Sequence, residues 1–376
     1  MELNEQDTNY ISQEIINYYS RFKNIGDYIK ETKLSQISSA QSLLPGMNIE
    51  DDFFDDFNTN PNDMDIGFRK VDEDTFKSML DIVSSHTNMV SIPGKNMRYV
   101  VYEKNTNKIL GFIRLSSPVM FMKPRNTLLG RPLQTTVSEE MSRFNKSVIM
   151  GFVIVPTQPF GFNYLGGKLL AAICCTHEVR EDINRTYDAD ICMFETTSLY
   201  GTSKSASQYD GMKPFLRYKG LSESAFAPMI EGETFKKFEH WFKSKNDNKP
   251  LVSANASSRK MLMQGKMISI TKKHLKKYNE NKYKEFVDMV ENAKHLTEQK
   301  RYYTSFYGYS NVPEFLSGKD KQLKKAENYD SFNFDNVINW WKKKASKRHE
   351  QLKSENRLRT KLEVWSVDNT DIDIIR

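Results

Sequence analysis

The densest run of chemistry-bearing residues in this 376-residue chain is VIVPTQPFGFNYLGGKLLAAI, where an apolar β-branched run gives way to glycines and then to a helical pattern. A glycine-bearing loop between a strand and a helix N-terminus is a natural anion site. Its backbone N–H groups point outward, and the helix dipole favours negative charge. A P-loop is excluded. Gly161, Gly166, Gly167 and Lys168 imitate GxxxxGK[ST], but the glycine–lysine spacing is one residue too long, and Leu169 stands where the metal-binding hydroxyl is required. The dinucleotide fingerprint GxGxxG is absent.

Further along, Glu195 ends the apolar run DICMFETT, beside Thr196, Thr197 and Ser198. Ligands gather at the carboxyl ends of strands in open α/β sheets. A carboxylate there, its pKa raised by burial, can act as a general base. It can equally hold the next loop through hydrogen bonds to the loop's amides. Ser198, Thr202, Ser203, Ser205 and Ser207 surround Lys204, which makes either a phosphate grip or an exposed linker. No His or Asp lies close enough in sequence to suggest a serine nucleophile. His177 reads as a residue near the carbonyl end of a helix. No two of the six histidines have HExxH spacing, so no metal is expected. Cys174, Cys175 and Cys192 fall on apolar elements and read as core.

Charge supplies the second signal. The 55 Lys/Arg and 48 Asp/Glu are unevenly placed: residues 231–376 hold 31 basic and 20 acidic side chains, and residues 1–230 hold 24 and 28. A basic final third points to a polyanion, most often nucleic acid, or else to a helical domain with solvated lysine faces. Two stretches are candidates for phosphate contact. Arg259 and Lys260 lead on to Lys272 and Lys273. The run WWKKKASKRHEQLKSENRLRTKLEVW carries Lys342, Lys343, Lys344, Lys347 and Arg348, and residues 342–361 hold nine basic residues against two Glu. At that density some cations must face outward unpaired. The neighbouring aromatics can stack bases if the target is single-stranded.

The elements that must position these residues follow from periodicity. Residues 9–30 put Ile11, Ile15, Ile16, Tyr19 and Phe22 on one helical stripe. That is an amphipathic arm (residues 1–47) that docks on the body or on a protein partner. Residues 50–65 carry seven carboxylates and no basic residue. This segment (48–66) reads as a flexible acidic linker, or as a peptide whose Phe53, Phe54 and Phe57 cover the basic surface. Pro61 and the Asn/Asp cluster argue against a regular element there. Residues 67–230 alternate: strand 68–71, helix 73–85, hairpin strands 97–103 and 109–115, long strand 147–156, helix 164–176, strand 190–197 and helix 208–219. Beyond 230, helices are expected at 234–243, 271–278, 282–295 and 334–361, with a tyrosine-rich patch over 302–309. The fold class is α/β (mixed α+β), a sheet with flanking helices, followed by a basic, mainly helical C-terminal domain (231–376). Three cysteines cannot build a disulfide framework, no apolar run reaches ~18 residues, and the first residues are polar and acidic. A cytoplasmic protein with no membrane contact is expected.

Two resemblances rest on these residues. Gln158-Pro159-Phe160-Gly161-Phe162-Asn163 resembles the Q/R-x-x-G-x-G/A loop of the GNAT acyltransferase superfamily, with Asn163 at the Gly/Ala position and Pro159 lacking an amide donor. It implies a GNAT-like twisted sheet whose fourth strand leads into this loop. It also implies an acetyl-CoA or other acyl-CoA site at Val155, Gln158, Gly161, Asn163, Gly166, Gly167 and Lys168. The general-acid tyrosine of that superfamily corresponds to Leu216 here. Tyr209 is therefore the candidate acid and Tyr218 a second one; each can instead be a packing residue. Residues 97–225 are also similar to the DruA-like domain of the Druantia anti-phage system. The likeness runs through Val155-Pro156, Asn163 with Leu165-Gly166-Gly167, Phe194-Glu195-Thr196, Gly201-Thr202, and Tyr209 through Gly220. It implies a phage- or defence-related protein that binds or modifies nucleic acid, by a GNAT-type group transfer to DNA if it is an enzyme; Glu195, from its place on the strand, and Tyr209, from this likeness, are the candidate catalytic residues. A cytosolic N-acyltransferase and a non-catalytic interaction protein are the alternatives.

Overall fold

A computed structural model describes residues 1–23, 34, 49–83, 94–134, 137–198, 207–222, 229–230, 232–253, 259–295 and 301–365. In chain order its helices are α1 (Glu5–Ser20), α2 (Ile49–Asp52), α3 (Glu73–Val83), α4 (Lys123–Leu129), α5 (Ser138–Ser147), α6 (Phe160–Tyr164), α7 (Gly166–Ile173), α8 (His177–Tyr187), α9 (Gly232–Ser244), α10 (Arg259–Tyr278), α11 (Glu280–His295), α12 (Val312–Leu316) and α13 (Phe334–Ser354). Its strands are β1 (Ile66–Lys70), β2 (Asn96–Glu103), β3 (Lys108–Ser116), β4 (Val148–Pro156), β5 (Met193–Ser198), β6 (Arg217–Leu221) and β7 (Arg301–Ser305). The mixed α/β class holds.

The strands form one seven-stranded sheet in the order β1-β2-β3-β4-β5-β7-β6. Every neighbouring pair is antiparallel except β4–β5. β4 is central and almost wholly buried, which suits its unbroken β-branched run. The parallel pair is in register only from Val148↔Met193 to Gly151↔Thr196. Beyond that point β4 keeps β3 as its partner up to Gly111↔Pro156, while β5 stays with β7 to Ser198↔Arg301. The glycine loop therefore leaves the free end of the fourth strand.

The compact units do not follow the linear division into 1–47, 48–66, 67–230 and 231–376. One unit is Met1–Tyr28 with Ser224–Gln299, and the other is Ile29–Glu223 with Lys300–Arg376. The stretch 224–299, which carries α9, α10 and α11, is an insertion in the connection from β6 to β7. The chain then returns to complete the sheet, because β7 must pair with both β5 and β6. The expected C-terminal domain is thus half helical insertion and half sheet unit. The tyrosine patch at 302–309 begins as a strand, with Tyr302 and Tyr303 buried on opposite faces.

In the helical unit, α1 buries Ile11, Ile15, Ile16 and Tyr19 in a core shared with Phe238, Met267, Leu275 and Phe286 of α9–α11. The Tyr18 hydroxyl donates to the Met229 carbonyl at 2.7 Å, and Lys245 pairs with Asp7 at 2.7 Å. The apolar stripe is spent on this packing, so the amphipathic arm docks within the chain.

In the sheet unit, residues 53–65 of the acidic segment are packed on the body, and their backbone meets α13 through Phe57 and Asn62. Phe53 joins Phe76 and Phe112 in one cluster, and Phe54 and Phe57 enter the main core beside Phe160 and Tyr164. Asp51, Asp55, Asp56, Asp63 and Asp65 face outward: Asp55 pairs with Lys108 at 2.7 Å and Asp65 with Lys104 at 2.9 Å. Burying three phenyl rings outweighs the local charge density. Pro61 opens a 3-10 turn, a position where a missing amide costs nothing. Three further expectations change. The helix at 164–176 is broken by Leu165 in the left-handed region (φ 55°), and α7 starts only at Gly166. His177 opens α8, which Thr176 caps, rather than ending a helix. Residues 208–219 form turns that lead into β6, and α13 stops at Ser354 rather than Lys361.

Candidate nucleic-acid interface

The loop after β4 is built from its own hydrogen bonds. The amides of Gly161 and Asn163 donate to the carbonyls of Thr157 and Pro159, both at 2.8 Å. The Phe162 amide donates to Gln158 Oε1 at 3.2 Å, and that of Lys168 to the Leu165 carbonyl at 2.9 Å. The segment after α13 lies against the loop. The Asn163 amide side chain donates to the Arg359 carbonyl at 2.7 Å and accepts from the Arg359 amide at 3.2 Å. The Glu363 amide donates to the Gln158 carbonyl at 2.9 Å. The glycines meet protein rather than open space. A Cβ at Gly161 would lie 2.5 Å from Gln158 Nε2, one at Gly166 2.7 Å from the Phe160 ring, and one at Gly167 2.2 Å from Gln208 Oε1. Val155 contributes to packing. The amides of Gly161, Phe162, Asn163 and Lys168 are thus engaged within the protein, so these four are not free to cradle an acyl-CoA pyrophosphate.

The loop is also where the second basic stretch lands. α13 turns Val337, Ile338, Trp341, Ala345, Ser346, His349 and Leu352 inward. The Trp341 indole N–H donates to the Tyr164 carbonyl at 2.8 Å, and His349 stacks on Tyr164 at 4.9 Å while donating to the Phe57 carbonyl. That one buried stripe confines the cations to the outer face. Lys343, Lys344 and Lys347 are exposed, and none has an acidic partner among the described residues. Lys342 donates to the Asn62 carbonyl at 3.0 Å. The Arg348 guanidinium lies 4.9 Å from the centre of the Phe162 ring, and Arg359 lies 4.1 Å from the same ring. Burial and the charge of Arg357 both push the Arg348 pKa down, and its Nε is buried without a partner among the described residues.

Lys168 links this patch to the end of the parallel pair. Its ammonium donates to the carbonyls of Gln208 (2.8 Å) and Asp210. Burial lowers its pKa, and the nearby Lys344 lowers it further. Asp210 accepts from the Tyr303 hydroxyl at 2.8 Å and pairs with Arg301 at 3.2 Å. Arg301 in turn lies 4.6 Å from the centre of the Tyr218 ring. One surface thus carries Tyr218 and Arg301, then Lys168, then Trp340 with Lys344 at 5.4 Å, then Arg348, Phe162 and Arg359. The sequence marked Lys168, Lys344 and Arg348 in separate motifs. It missed Arg301, Asp210 and Arg359, which have no local pattern to flag them.

The candidate catalytic pair lies inside the protein. Glu195 is completely buried: Arg125, equally buried, donates to Oε1 at 2.7 Å, and the Tyr302 hydroxyl donates to Oε2 at 2.6 Å. Burial pushes the Glu195 carboxyl up, and both partners oppose that push. Arg125 is tied further to the carbonyls of Val119 and Met120, each at 2.7 Å. Tyr209 is buried against Tyr303 at 5.5 Å, with burial raising its phenol well above the usual tyrosine range. Both side chains are thus buried and held by protein partners among the described residues. The three cysteines are buried, with thiols pushed up by burial. Of the hydroxyl-rich loop only Ser198 and Ser207 are described; 199–206 lie outside the described residues.

The first basic stretch belongs to the helical unit and is largely engaged there. Arg259 pairs with Glu239 at 2.5 Å and Lys273 with Glu2 at 3.4 Å. Lys260 sits 5.1 Å from the Phe235 ring centre and Lys272 6.0 Å from that of Tyr283. Among the described residues there is no group of His, Cys, Asp and Glu able to hold a metal, and no helix is long and apolar enough to cross a membrane.

Comparison with known proteins gives one finding. The family described as Druantia protein DruA matches residues 22–205, which supports a DruA-like domain over this part of the chain. The matched stretch takes in β1 to β5 and the loop after β4. It begins earlier than the likeness read from residues 97–225, and Tyr209, β6, β7 and α13 lie beyond it. No curated protein and no solved structure matches the chain.

Proposed function

We propose that this chain is a phage- or defence-related protein of the DruA kind that binds nucleic acid through the outer face of α13 and the adjoining loop after β4. The observation that carries the reading is the convergence of two motifs more than 170 residues apart in sequence. Arg348 and Arg359 lie against Phe162 and Lys344 lies near Lys168, while Lys343 and Lys347 stand exposed on the same helix without an acidic partner among the described residues. Phosphate neutralisation is the economical use of such a surface. The defence context comes from the DruA match alone. Acyl transfer is not part of the proposal. Only the sheet favours it, since the loop leaves the fourth strand beside a single parallel pair.

The test is binding of labelled DNA at graded salt. Neutralising ~6 phosphates gives a log–log slope near −5 on duplex DNA. Replacing Lys343, Lys344 and Lys347 by Gln should flatten that slope by up to about 3. All three are exposed, so the melting temperature should hold. An unchanged slope would move the site away from α13, and no binding at low salt would remove the reading.

A further inference from the structure

We infer that the ligand of this surface is a single-stranded nucleic acid, held by its base faces as well as its phosphates and without regard to the sugar. The inference rests on the nucleic-acid reading above and narrows it. A surface made for a duplex needs cations alone, since the bases of a duplex are stacked on one another and only phosphates and groove edges are on offer. Here rings alternate with cations. Tyr218 is 46 % exposed on the edge strand β6, with Arg301 over its ring. Trp340 is half-buried, its ring braced against Phe215 at 5.0 Å, with Lys344 beside it. Phe162 is half-buried, with Arg348 and Arg359 both against its ring.

A guanidinium lying over a ring covers that face and offers its own outer plane to a base, with the ring behind it as support. Bases stack on aromatic faces and on guanidinium planes alike, and the cation also meets the adjacent phosphate. Three carboxylates near the strip are already engaged: Asp210 with Arg301 and Tyr303, Glu355 with Arg357 at 2.8 Å and Glu363 with Arg359 at 3.3 Å; Glu350, exposed on α13, has no ion pair among the described residues. Such side-chain pairing lowers the repulsion a phosphate backbone would meet. Among the described residues the strip's rings and cations meet bases and phosphates, the parts that DNA and RNA share.

The experiment uses the full chain and fluorescence anisotropy with oligo(dT), oligo(rU) and a mixed-sequence duplex, each of roughly 20 nucleotides per strand. Both single strands should bind within a few-fold of each other and at least about 5-fold tighter than the duplex, the least that one stacked base supplies. Phe162→Leu and Tyr218→Leu should each weaken the single strands about 5-fold or more and more than they weaken the duplex, with the salt slope unchanged. Phe162→Trp should restore binding, which separates stacking from a folding defect. Equal affinity for duplex and single strands, with neutral ring variants and a flattened slope in the lysine variant, would overturn this inference and leave nucleic-acid binding standing. A strong preference for oligo(rU) over oligo(dT) would overturn the indifference to the sugar. No binding to any of the three would overturn both readings together.

Discussion

A wholly buried ion pair adds little over an apolar pair of the same volume, yet breaking one half leaves a charge stranded in low dielectric. Arg125 and Glu195 are such a pair, with Tyr302 as the third member. Glu195→Ala should therefore cost about 3–5 kcal/mol in urea unfolding, and the double replacement Arg125→Met with Glu195→Leu should recover most of it. A Glu195→Ala protein of full stability that lost only an activity would return the residue to catalysis. Asp210 makes a pH-dependent contribution. Burial pushes its carboxyl up, but the Ser207 amide, the Tyr303 hydroxyl and the charges of Arg301 and Lys168 outweigh that and hold it below the ordinary value of 3.8. A depressed folded pKa means stabilisation that is present above the ordinary carboxylate range and is lost as pH falls through the folded value. The gap in melting temperature between wild type and Asp210→Asn should be open at neutral pH and close below about pH 4. A gap independent of pH would show that Asp210 acts by packing alone.

At the scale of elements, the β4–α6–α7 connection is a packed corner. The Cβ added by Gly161→Val would press on Gln158 and Pro156. The variant should lose about 1–3 kcal/mol, as overpacked sites do. Acetyl-CoA should leave the melting curve of the wild type where it is, and a clear upward shift would restore the cofactor reading. α13 shows how one helix serves two purposes. Trp341, Ala345 and His349 lock it onto α6 while Lys343 and Lys347 look outward, a division that the period of 3.6 residues sets once the inner stripe is fixed. Both the loop and the helix were legible in the sequence, the first from its glycines and the second from its charge. Their adjacency was not, because no local pattern encodes which loop a distant helix will cover.

For the whole molecule, two units with separate cores predict separate unfolding. Calorimetry should resolve two transitions, one for the helical unit and one for the sheet unit. Removing residues 1–23 strips Ile11, Ile15, Ile16 and Tyr19 from the helical core. It should lower that unit's transition and speed proteolysis within 232–295, with the sheet transition unmoved. A single transition that falls as a whole would mean that the two units unfold together.

By itself the sequence determined the hairpin β2–β3, the central strand β4, the helices α3, α9 and α11, the mixed α/β class and the excess of cations in the final third. Each of these is written in local periodicity or composition, and local steric and hydrophobic preferences act within a few residues. Tertiary structure alone decided three things. It put Phe53, Phe54 and Phe57 in the core despite seven neighbouring carboxylates, because their burial depends on partners such as Phe112 and Phe160 far away in the chain. It returned residues 301–305 to the sheet across the helical insertion, because a strand's place is set by the edges left open to it. It also took Glu195 from the open end of a strand to the bottom of a closed ion pair. Whether a carboxylate meets solvent or a guanidinium depends on Arg125, 70 residues away, and on nothing in the local pattern.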